Sequence, residues 1–206
     1  MGAATYSAEI DRCGECGFDW DGTAPTGLVV ELTAVPHRYR AQLGALVTQP
    51  EVAPLRTRPD PTTWSALEYV AHTRDALAFY AERIERVLGE ERPTLGPFDA
   101  DAACEDRRYN HEDVEEALDG LAGVARRLGA RLAGLLASSW SRIGIGTDGG
   151  ERSVLQLVRR AVHEGQHHLL DIERALRGLR RVSGRRPSVA VAVGRDHPGS
   201  PGRRRA

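Results

Sequence analysis

Residues 161–178 have the sequence AVHEGQHHLLDIERALRG, an amphipathic pattern that carries three histidines and an acid within six residues. Its apolar positions recur at helical spacing, so one side of the helix is predicted to lie in a core. Imidazole and carboxylate groups at such close spacing are typical ligands of a divalent metal ion. The stretch therefore predicts a helix that carries metal ligands into a helical bundle.

A helical wheel separates these ligand candidates into two groups. The apolar residues that mark the buried side are Val154, Val158, Ala161, Val162, Leu169, Ile172, Leu176 and Leu179. At about 100° per residue, His168 and Glu164 lie at the edge of that side, with Asp171 beside them. His163 and His167 lie about 160° away and are predicted to face solvent. Glu164 and His168 are the predicted ligands. The other two histidines have the same i, i+4 spacing and remain the alternative pair.

A third ligand is predicted from a second amphipathic helix at residues 65–89. Ser65 and Glu68 form an S-x-x-E capping box, which is typical of a helix start. His72 lies two turns further on, at the edge of the apolar stripe. If the two helices are neighbours, His72 joins the acid and the histidine of the last helix, and three protein ligands leave one coordination position open. A structural histidine that only hydrogen-bonds a neighbour is the alternative.

Four long helical patterns predict an all-α fold, an antiparallel four-helix bundle. Their predicted ranges are 26–47, 65–89, 110–137 and 153–181. Pro36 is expected to kink or split the first helix, because proline removes a backbone donor. Asn110 is predicted as the N-cap of the third helix. Ser153 and Gln156 predict a second capping box at the start of the fourth.

Composition divides the chain into three parts. Residues 1–20 form an N-terminal segment with a CxxC motif, and residues 21–182 form the bundle domain. Residues 183–206 are rich in Gly, Pro and Arg and are predicted to be a disordered tail. Within the bundle domain, the glycine-rich residues 141–153 with their Asp148-Gly149 turn signal are interpreted as a connector.

The residues of the predicted metal site also carry a resemblance. In chain order they are Trp64, Ser65, His72, Glu164, His168, Asp171 and Ile172. This pattern resembles the DinB-like superfamily of metal-binding four-helix bundles. The version with Glu in the first position of the last signature is similar to the N-terminal domain of mycothiol-dependent maleylpyruvate isomerase. The resemblance spans residues 20–182.

The resemblance implies a divalent ion, zinc or nickel, held by His72, Glu164 and His168. Asp171 would orient His168 from behind. A low-molecular-weight thiol of the mycothiol type is the implied co-substrate, because a metal lowers the pKa of a thiol. The expected function is a thiol-dependent transferase or isomerase. A non-catalytic, stress-associated metal-binding bundle and a metal-dependent hydrolase are the alternatives.

The loop before the third helix offers groups that could bind substrate. Arg107, Arg108 and Tyr109 supply two guanidinium groups and a phenol. Guanidinium groups bind carboxylates through paired hydrogen bonds. We therefore predict contacts from these residues to a carboxylate-bearing thiol or substrate, with solvated arginines as the alternative.

The segment RCGECGFDWDG, residues 12–22, suggests a second metal site or a redox site at Cys13 and Cys16. Their C-x2-C spacing is that of a zinc knuckle, yet two cysteines are only half of a tetrahedral site. The candidates for the missing ligands are Asp19, Asp21, His37 and Cys104, and their spacing singles out none of them. Free or oxidised thiols are the alternative interpretation.

Composition favours a compact cytoplasmic protein. The 206 residues are 41% apolar and carry a formal net charge of −1, which argues against nucleic acid as the main partner. All 28 basic residues are Arg, a bias toward GC-rich codons that suggests an actinobacterial source. No apolar run reaches about 18 residues, so no membrane partner is expected. The expected partners are a small-molecule thiol and an electrophile, and a homodimer is allowed.

Overall fold

The computed structural model describes residues 12–47 and 53–183. Four long helices dominate it: α1 Pro25–Val47, α3 Ala66–Gly89, α5 Val114–Ala133 and α6 Val154–Ser183. The shorter elements between them are α2 Ala53–Arg56, α4 Ala100–Asp106 and the 3₁₀ turns Tyr109–His111 and Ala137–Ser141. The predicted all-α fold is confirmed. The tail predicted at 183–206 lies outside the described residues except for its first residue, as do residues 1–11 of the N-terminal segment.

Two of the long helices begin at the predicted capping boxes. The Ser65 hydroxyl accepts the Glu68 backbone N–H, and the Glu68 carboxylate accepts the Ser65 backbone N–H at 2.8 Å. Ser153 and Gln156 form the same reciprocal pair at the start of α6. Each pair satisfies amide donors that the first turn of a helix leaves without partners.

The predicted N-cap of the third helix and the predicted split of the first helix were wrong. The N-cap of α5 is Asp113, whose carboxylate accepts two backbone N–H groups of the first turn. Asn110 lies instead in a 3₁₀ turn, where its side chain accepts from the Ser65 hydroxyl and donates to the Arg56 carbonyl. Pro36 does not split α1, which is continuous through it. Pro36 is buried, and packing into the core outweighs the loss of one helical hydrogen bond.

The four long helices form a bundle in which α1 lies beside α5 and α6, and α3 lies beside the same two helices. Arg40 near the end of α1 bonds Glu115 at the start of α5, so these neighbours are antiparallel. Gly165 of α6 packs against Val35, and Leu169 accepts from Gln42, so α1 and α6 run in the same direction.

α3 likewise has one antiparallel and one parallel neighbour. Tyr69 stacks on His168 while Tyr80, further along α3, hydrogen-bonds Arg160, so α3 and α6 are antiparallel. Arg131 near the end of α5 bonds Glu85 near the end of α3, so these two helices are parallel. α1 and α3, which follow one another in the chain, therefore lie diagonally across the bundle, and so do α5 and α6. This connectivity needs crossovers longer than hairpin turns.

A small three-stranded sheet lies outside the predicted helices, and two of its strands fall within the predicted connector 141–153. β1 Thr94–Leu95 pairs in parallel with β2 Ile143–Gly146, and β2 pairs antiparallel with β3 Glu151–Ser153. Gly149 has a φ of 77° in the turn between β2 and β3, a conformation that favours glycine. The predicted turn is present. The connector interpretation missed the hairpin because strands this short carry too little periodicity to detect.

The main apolar core runs through the bundle. Its largest fully buried side chains include Tyr39, Leu28, Leu32, Leu43, Leu67, Leu77, Ile84, Leu118 and Leu121. Phe18, from the predicted N-terminal segment, is buried in the same core. The segment therefore packs onto the bundle. Among the described residues, no helix has the length and apolar character needed to cross a membrane.

Candidate metal centre

The structure brings His72 of α3 together with Glu164 and His168 of α6. His72 Nε2 lies 3.4 Å from Glu164 Oε2, and His168 Nε2 lies 3.1 Å from the same oxygen. The ligand atoms of all three residues lie within 4.8 Å of one another. Ligands about 2.0–2.2 Å from a tetrahedral ion are separated by about 3.4 Å. The three side chains are therefore spaced to hold one cation.

The centre is enclosed on one side and open on the other. The exposed fraction of the side chain is 5% for His72, 17% for His168 and 26% for Glu164. His72 thus forms the floor of the centre, and Glu164 lies toward its opening. Partial enclosure lowers the local dielectric response and strengthens the interaction of these groups with a cation.

Aromatic rings fix both imidazoles. Ring centroids of Trp64 and Phe98 lie 5.0 Å and 5.8 Å from that of His72. Tyr69 stacks on His168 at 5.3 Å. Such contacts restrict the rotation of the imidazole rings and keep water from their faces.

Asp171 determines which nitrogen of His168 faces the centre. Its Oδ2 lies 3.0 Å from His168 Nδ1, so the N–H of a neutral ring lies at Nδ1 and the lone pair at Nε2. That lone pair then points at the Glu164 carboxylate, which is repulsive unless positive charge lies between them. A proton or a metal ion supplies that charge. The donor set therefore fits a divalent cation.

The pKa shifts of Glu164 and His168 also indicate that positive charge is favourable at this centre. Burial alone would raise the pKa of Glu164, but hydrogen bonds from His168 and His72 hold it well below its usual range. Burial would lower the pKa of His168, but hydrogen bonds with Asp171 and Glu164 raise it to about 9. Glu164 is therefore an anion at neutral pH, and the centre attracts a cation.

Sequence comparison assigns the family. Residues 32–172 match the sequence model of the DinB superfamily. The chain belongs to the DinB superfamily.

The fold of this DinB-superfamily member is similar to that of YfiT from Bacillus subtilis. The TM-score is 0.68, with 20% sequence identity over 79% of this chain and 91% of that chain. YfiT is described as a probable metal-dependent hydrolase with an unusual four-helix bundle topology. No curated protein matches this chain. The resemblance to the N-terminal domain of mycothiol-dependent maleylpyruvate isomerase stays a prediction.

The prediction that His163 and His167 face solvent was wrong. His163 is half-buried against Trp20, with ring centroids 4.7 Å apart, and His167 Nδ1 lies 3.6 Å from Cys13 Sγ. The N-terminal segment covers this side of α6, and a helical wheel contains no information on such a distant part of the chain. The structure therefore separates this pair from His72.

Cys13 and Cys16 meet these two histidines, and the ligand atoms of the four residues lie within 4.8 Å of one another. Burial lowers the pKa of His163 to about 4, so its ring is neutral at physiological pH. None of the four partners considered from the sequence lies in this group, namely Asp19, Asp21, His37 and Cys104. Asp19 instead accepts backbone N–H groups of its own turn, and the Cys104 thiol lies beside Glu68.

The predicted substrate-binding residues of the α4–α5 loop are largely engaged within the protein. Tyr109 is fully buried, and its hydroxyl donates to Asp75 Oδ2 at 2.7 Å. Arg107 Nη1 donates to the same oxygen at 2.5 Å. Arg108 is exposed in a left-handed backbone conformation. Burial corrects the prediction for Tyr109, because a buried carboxylate such as Asp75 requires donors from its neighbours. For Arg107 and Arg108, whose side chains are exposed, substrate binding stays a prediction.

Arg83 of α3 is a cationic group that was not predicted, and two aromatic rings connect it to His72. The Arg83 guanidinium carbon lies 4.0 Å over the Phe79 ring, and Phe79 contacts Phe98, which stacks on His72. Arg83 Nε is buried without a hydrogen-bond partner among the described residues. Burial and the nearby charge of Arg152 lower the pKa of Arg83. The spacing of 7 and 4 residues from His72 to Phe79 to Arg83 was the available signal, since it places all three on one helix face.

Proposed function

We propose that this protein is a metal-dependent enzyme in which His72, Glu164 and His168 hold a divalent cation, zinc or nickel. A low-molecular-weight thiol of the mycothiol type is the proposed nucleophile, and the reaction is a transfer or isomerisation. One observation carries the proposal: two imidazole nitrogens converge on one carboxylate oxygen at 3.1 and 3.4 Å. Positive charge at that point satisfies all three groups.

The chain's own residues prepare the centre for this chemistry. A divalent cation lowers the pKa of a thiol or a water molecule beside it, so that a nucleophile exists at neutral pH. Glu164 adds one negative charge, which strengthens cation binding and leaves net positive charge to stabilise an anionic nucleophile. Asp171 holds His168 in the tautomer that presents Nε2.

The apolar side of the centre supports a sulfur nucleophile. Trp64 and Phe98 line His72, and sulfur makes favourable contacts with aromatic rings. The same rings exclude bulk water, which would compete with the thiol. The proposed compartment is the cytoplasm, where small thiols are available, and the proposed partners are small molecules.

Arg83 supports a substrate that carries a negative charge. Its Nε is buried without a hydrogen-bond partner among the described residues, and its guanidinium lies against Phe79, one ring away from Phe98. A carboxylate bound there would accept the one N–H that Nε leaves without a partner. We propose that Arg83 binds a carboxylate of the thiol or of the electrophile, the role that the sequence analysis gave to the α4–α5 loop.

Hydrolysis is the second candidate function. YfiT, which has the same fold, is described as a probable metal-dependent hydrolase. The same three ligands would serve a water nucleophile, so the ligand set alone does not separate the two reactions. The difference lies in whether a thiol is required for turnover.

Turnover assays test the proposal. Protein loaded with Zn²⁺ or Ni²⁺ is given a chromogenic electrophile with and without mycothiol and other small thiols, and separately a chromogenic ester without thiol. We expect thiol-dependent turnover that His72→Ala and His168→Ala abolish while circular dichroism shows unchanged helicity. His37→Ala, at an exposed histidine of α1, is the matched control. Ester turnover without thiol would instead identify a hydrolase, and full metal loading with no turnover in either assay would identify a non-catalytic bundle.

A further inference from the structure

We propose that Cys13, Cys16, His163 and His167 form a second metal site, a Cys2His2 zinc centre that joins the N-terminal segment to α6. It shares no ligand with the centre at His72. Its existence does not depend on the proposed enzyme activity.

The cysteine half of the site is a preformed turn. The Gly17 backbone N–H donates to the Cys13 carbonyl at 2.9 Å, and the Cys13 N–H donates to the Phe18 carbonyl at 2.8 Å. Gly17 has a φ of 73°, where any other residue would be strained. This turn brings both sulfurs to within 4.8 Å of the histidine nitrogens of α6.

The histidine half lies on α6, one helical turn apart. His163 Nε2 is buried and has no hydrogen-bond partner among the described residues. His167 Nδ1 lies 3.6 Å from Cys13 Sγ. In a tetrahedral zinc site, sulfur at about 2.3 Å and nitrogen at about 2.05 Å are separated by about 3.6 Å. The ligand atoms of the four residues all lie within 4.8 Å of one another, so they are already close to the spacing that zinc requires.

The ligand types select the metal. The spacing C-x2-C followed by H-x3-H is that of structural zinc sites. Thiolates are soft ligands that favour zinc over magnesium, calcium or manganese, and imidazoles suit zinc equally. Binding releases the two thiol protons to solvent, so the two thiolates neutralise the charge of the ion.

A competing group of ligand atoms comprises Glu15, His167 and Asp171. Both carboxylates already accept from Arg174, at 2.5 and 3.2 Å. Asp171 also accepts from His168. These carboxylates therefore already have hydrogen-bond donors within the protein, whereas the buried Nε2 of His163 has no partner among the described residues.

The zinc centre would act as a clamp. The zinc would add to the other contacts between this part of the chain and α6, in which Trp20 packs on His163, Glu15 pairs with Arg174 and Asp21 pairs with Arg159. His167 Nε2 lies 3.6 Å from Asp171 Oδ2, the oxygen that also contacts His168. Zinc bound at His167 would therefore hold this imidazole in place beside Asp171, the carboxylate that orients His168.

Cobalt substitution and zinc analysis on the full chain test the proposal. Co²⁺ bound by thiolates gives intense near-ultraviolet charge-transfer absorption, which a site of nitrogen and oxygen ligands lacks. We expect this absorption in wild-type protein, and we expect Cys13→Ser and His167→Ala to lose it together with one equivalent of zinc per chain. Cys104→Ser, which removes the third cysteine, is the matched control and keeps both.

His72→Ala separates this proposal from the proposed function. It removes the metal of the first centre and abolishes turnover, while the thiolate-to-cobalt absorption stays. The wild-type spectrum decides the question even if Cys13→Ser fails to fold. Absence of that absorption in reduced wild-type protein given Co²⁺ would overturn the proposal. So would a zinc content that Cys13→Ser leaves unchanged, or a Cys13–Cys16 disulfide in protein purified with zinc.

Discussion

His167 and His168 are adjacent in α6, yet their rings are perpendicular, at 89°, with centroids 5.7 Å apart, and they serve different groups. His168 lies against His72, with ring centroids 4.7 Å apart, whereas His167 faces Cys13. Adjacent residues of a helix point about 100° apart, so one helix can present two i, i+4 pairs offset by a single residue. α6 is the shared wall of two ligand groups.

Asp171 is the carboxylate in contact with both histidines, and its replacement should weaken the first metal centre. Asp171→Asn keeps the size of the side chain but removes the charge that holds His168 Nδ1–H. We expect the affinity for Zn²⁺ at His72, Glu164 and His168 to fall about 10–100-fold. Competition with a chromophoric chelator measures the affinity, and circular dichroism checks the fold.

Glu173→Gln is the control for that variant, since Glu173 is an exposed carboxylate of the same helix that pairs with Arg177. Its zinc affinity should equal that of the wild type. An Asp171→Asn protein with wild-type affinity would show that the tautomer of His168 does not depend on Asp171.

Local sequence was sufficient to predict the four long helices and the inward positions of Glu164 and His168, but not the short helices α2 and α4. A capping box such as that of Ser65 lies within four consecutive residues, so its signal does not depend on the rest of the fold. The position of Glu164 and His168 relative to the apolar stripe is likewise a property of one helix. The bundle then brings His72 to them, because α3 and α6 pack side by side.

Contacts between distant parts of the chain could not be predicted. Cys13 and His167 are 154 residues apart, and no spacing rule relates them. β1 and β2 pair Thr94 with Ile145, which are far apart in the sequence. Each strand is too short for an alternation of apolar and polar residues to be detected. Tyr109 is a loop residue by sequence, but its hydroxyl is drawn inward by the buried Asp75. In each case the position of the residue depends on a contact with a part of the chain that is distant in sequence.

Asp75 should make the fold sensitive to acid. It is buried and accepts from Arg74, Arg107 and Tyr109. Burial alone would raise the pKa of Asp75, but the hydrogen bonds from Arg74 and Tyr109 lower it below its usual value. The stabilisation is therefore complete above the unfolded pKa of about 3.9 and is lost as the pH falls through the lower folded value.

Asp75→Asn should lower the free energy of unfolding by about 1–3 kcal/mol at pH 7, because buried donors lose their charged acceptor. The difference from wild type should shrink as the pH falls from about 4 toward the lower folded pKa, because in this range the unfolded wild-type chain binds a proton that the folded protein does not. Urea unfolding at a series of pH values measures both. Asp106→Asn, at an exposed aspartate of α4, should show neither effect. A difference that stays constant with pH would mean that Asp75 contributes by packing rather than by charge.

Arg83 should affect substrate binding more than the chemical step. We expect Arg83→Gln to raise the KM for a carboxylate-bearing substrate about tenfold or more, with kcat nearly unchanged, because a charged hydrogen bond contributes about 1.5–3 kcal/mol. Steady-state kinetics with a charged substrate and its methyl ester give the comparison. The ester should show equal KM values for wild type and variant. Arg86→Gln, at another arginine of α3, removes the ion pair with Glu90 and is the control. A higher KM for the ester in Arg83→Gln would contradict an electrostatic role for Arg83.

Gly165 sets how closely α1 approaches α6 next to Glu164, a proposed metal ligand. A Cβ at this position would lie 2.6 Å from Val35 Cγ2 and 3.0 Å from Cγ1, well inside contact distance. Gly165→Ala gains about 1 kcal/mol of helix propensity but forces overpacking that costs about 1–3 kcal/mol, so we expect a lower melting temperature. At Gly44, an added Cβ would meet no heavy atom within 4 Å. Gly44→Ala should therefore leave the melting temperature unchanged or raise it.

A double-mutant cycle with Val35→Ala identifies the cause. Val35→Ala alone leaves a cavity and destabilises the protein. In the Gly165→Ala background the new methyl group fills part of that space, so the same substitution should cost less, and the coupling energy should be favourable. If the stability losses of Gly165→Ala and Val35→Ala simply add, the strain caused by the new methyl group lies elsewhere in α6 and not at Val35. In that case Gly165→Ala should weaken zinc binding at Glu164 whichever residue stands at position 35.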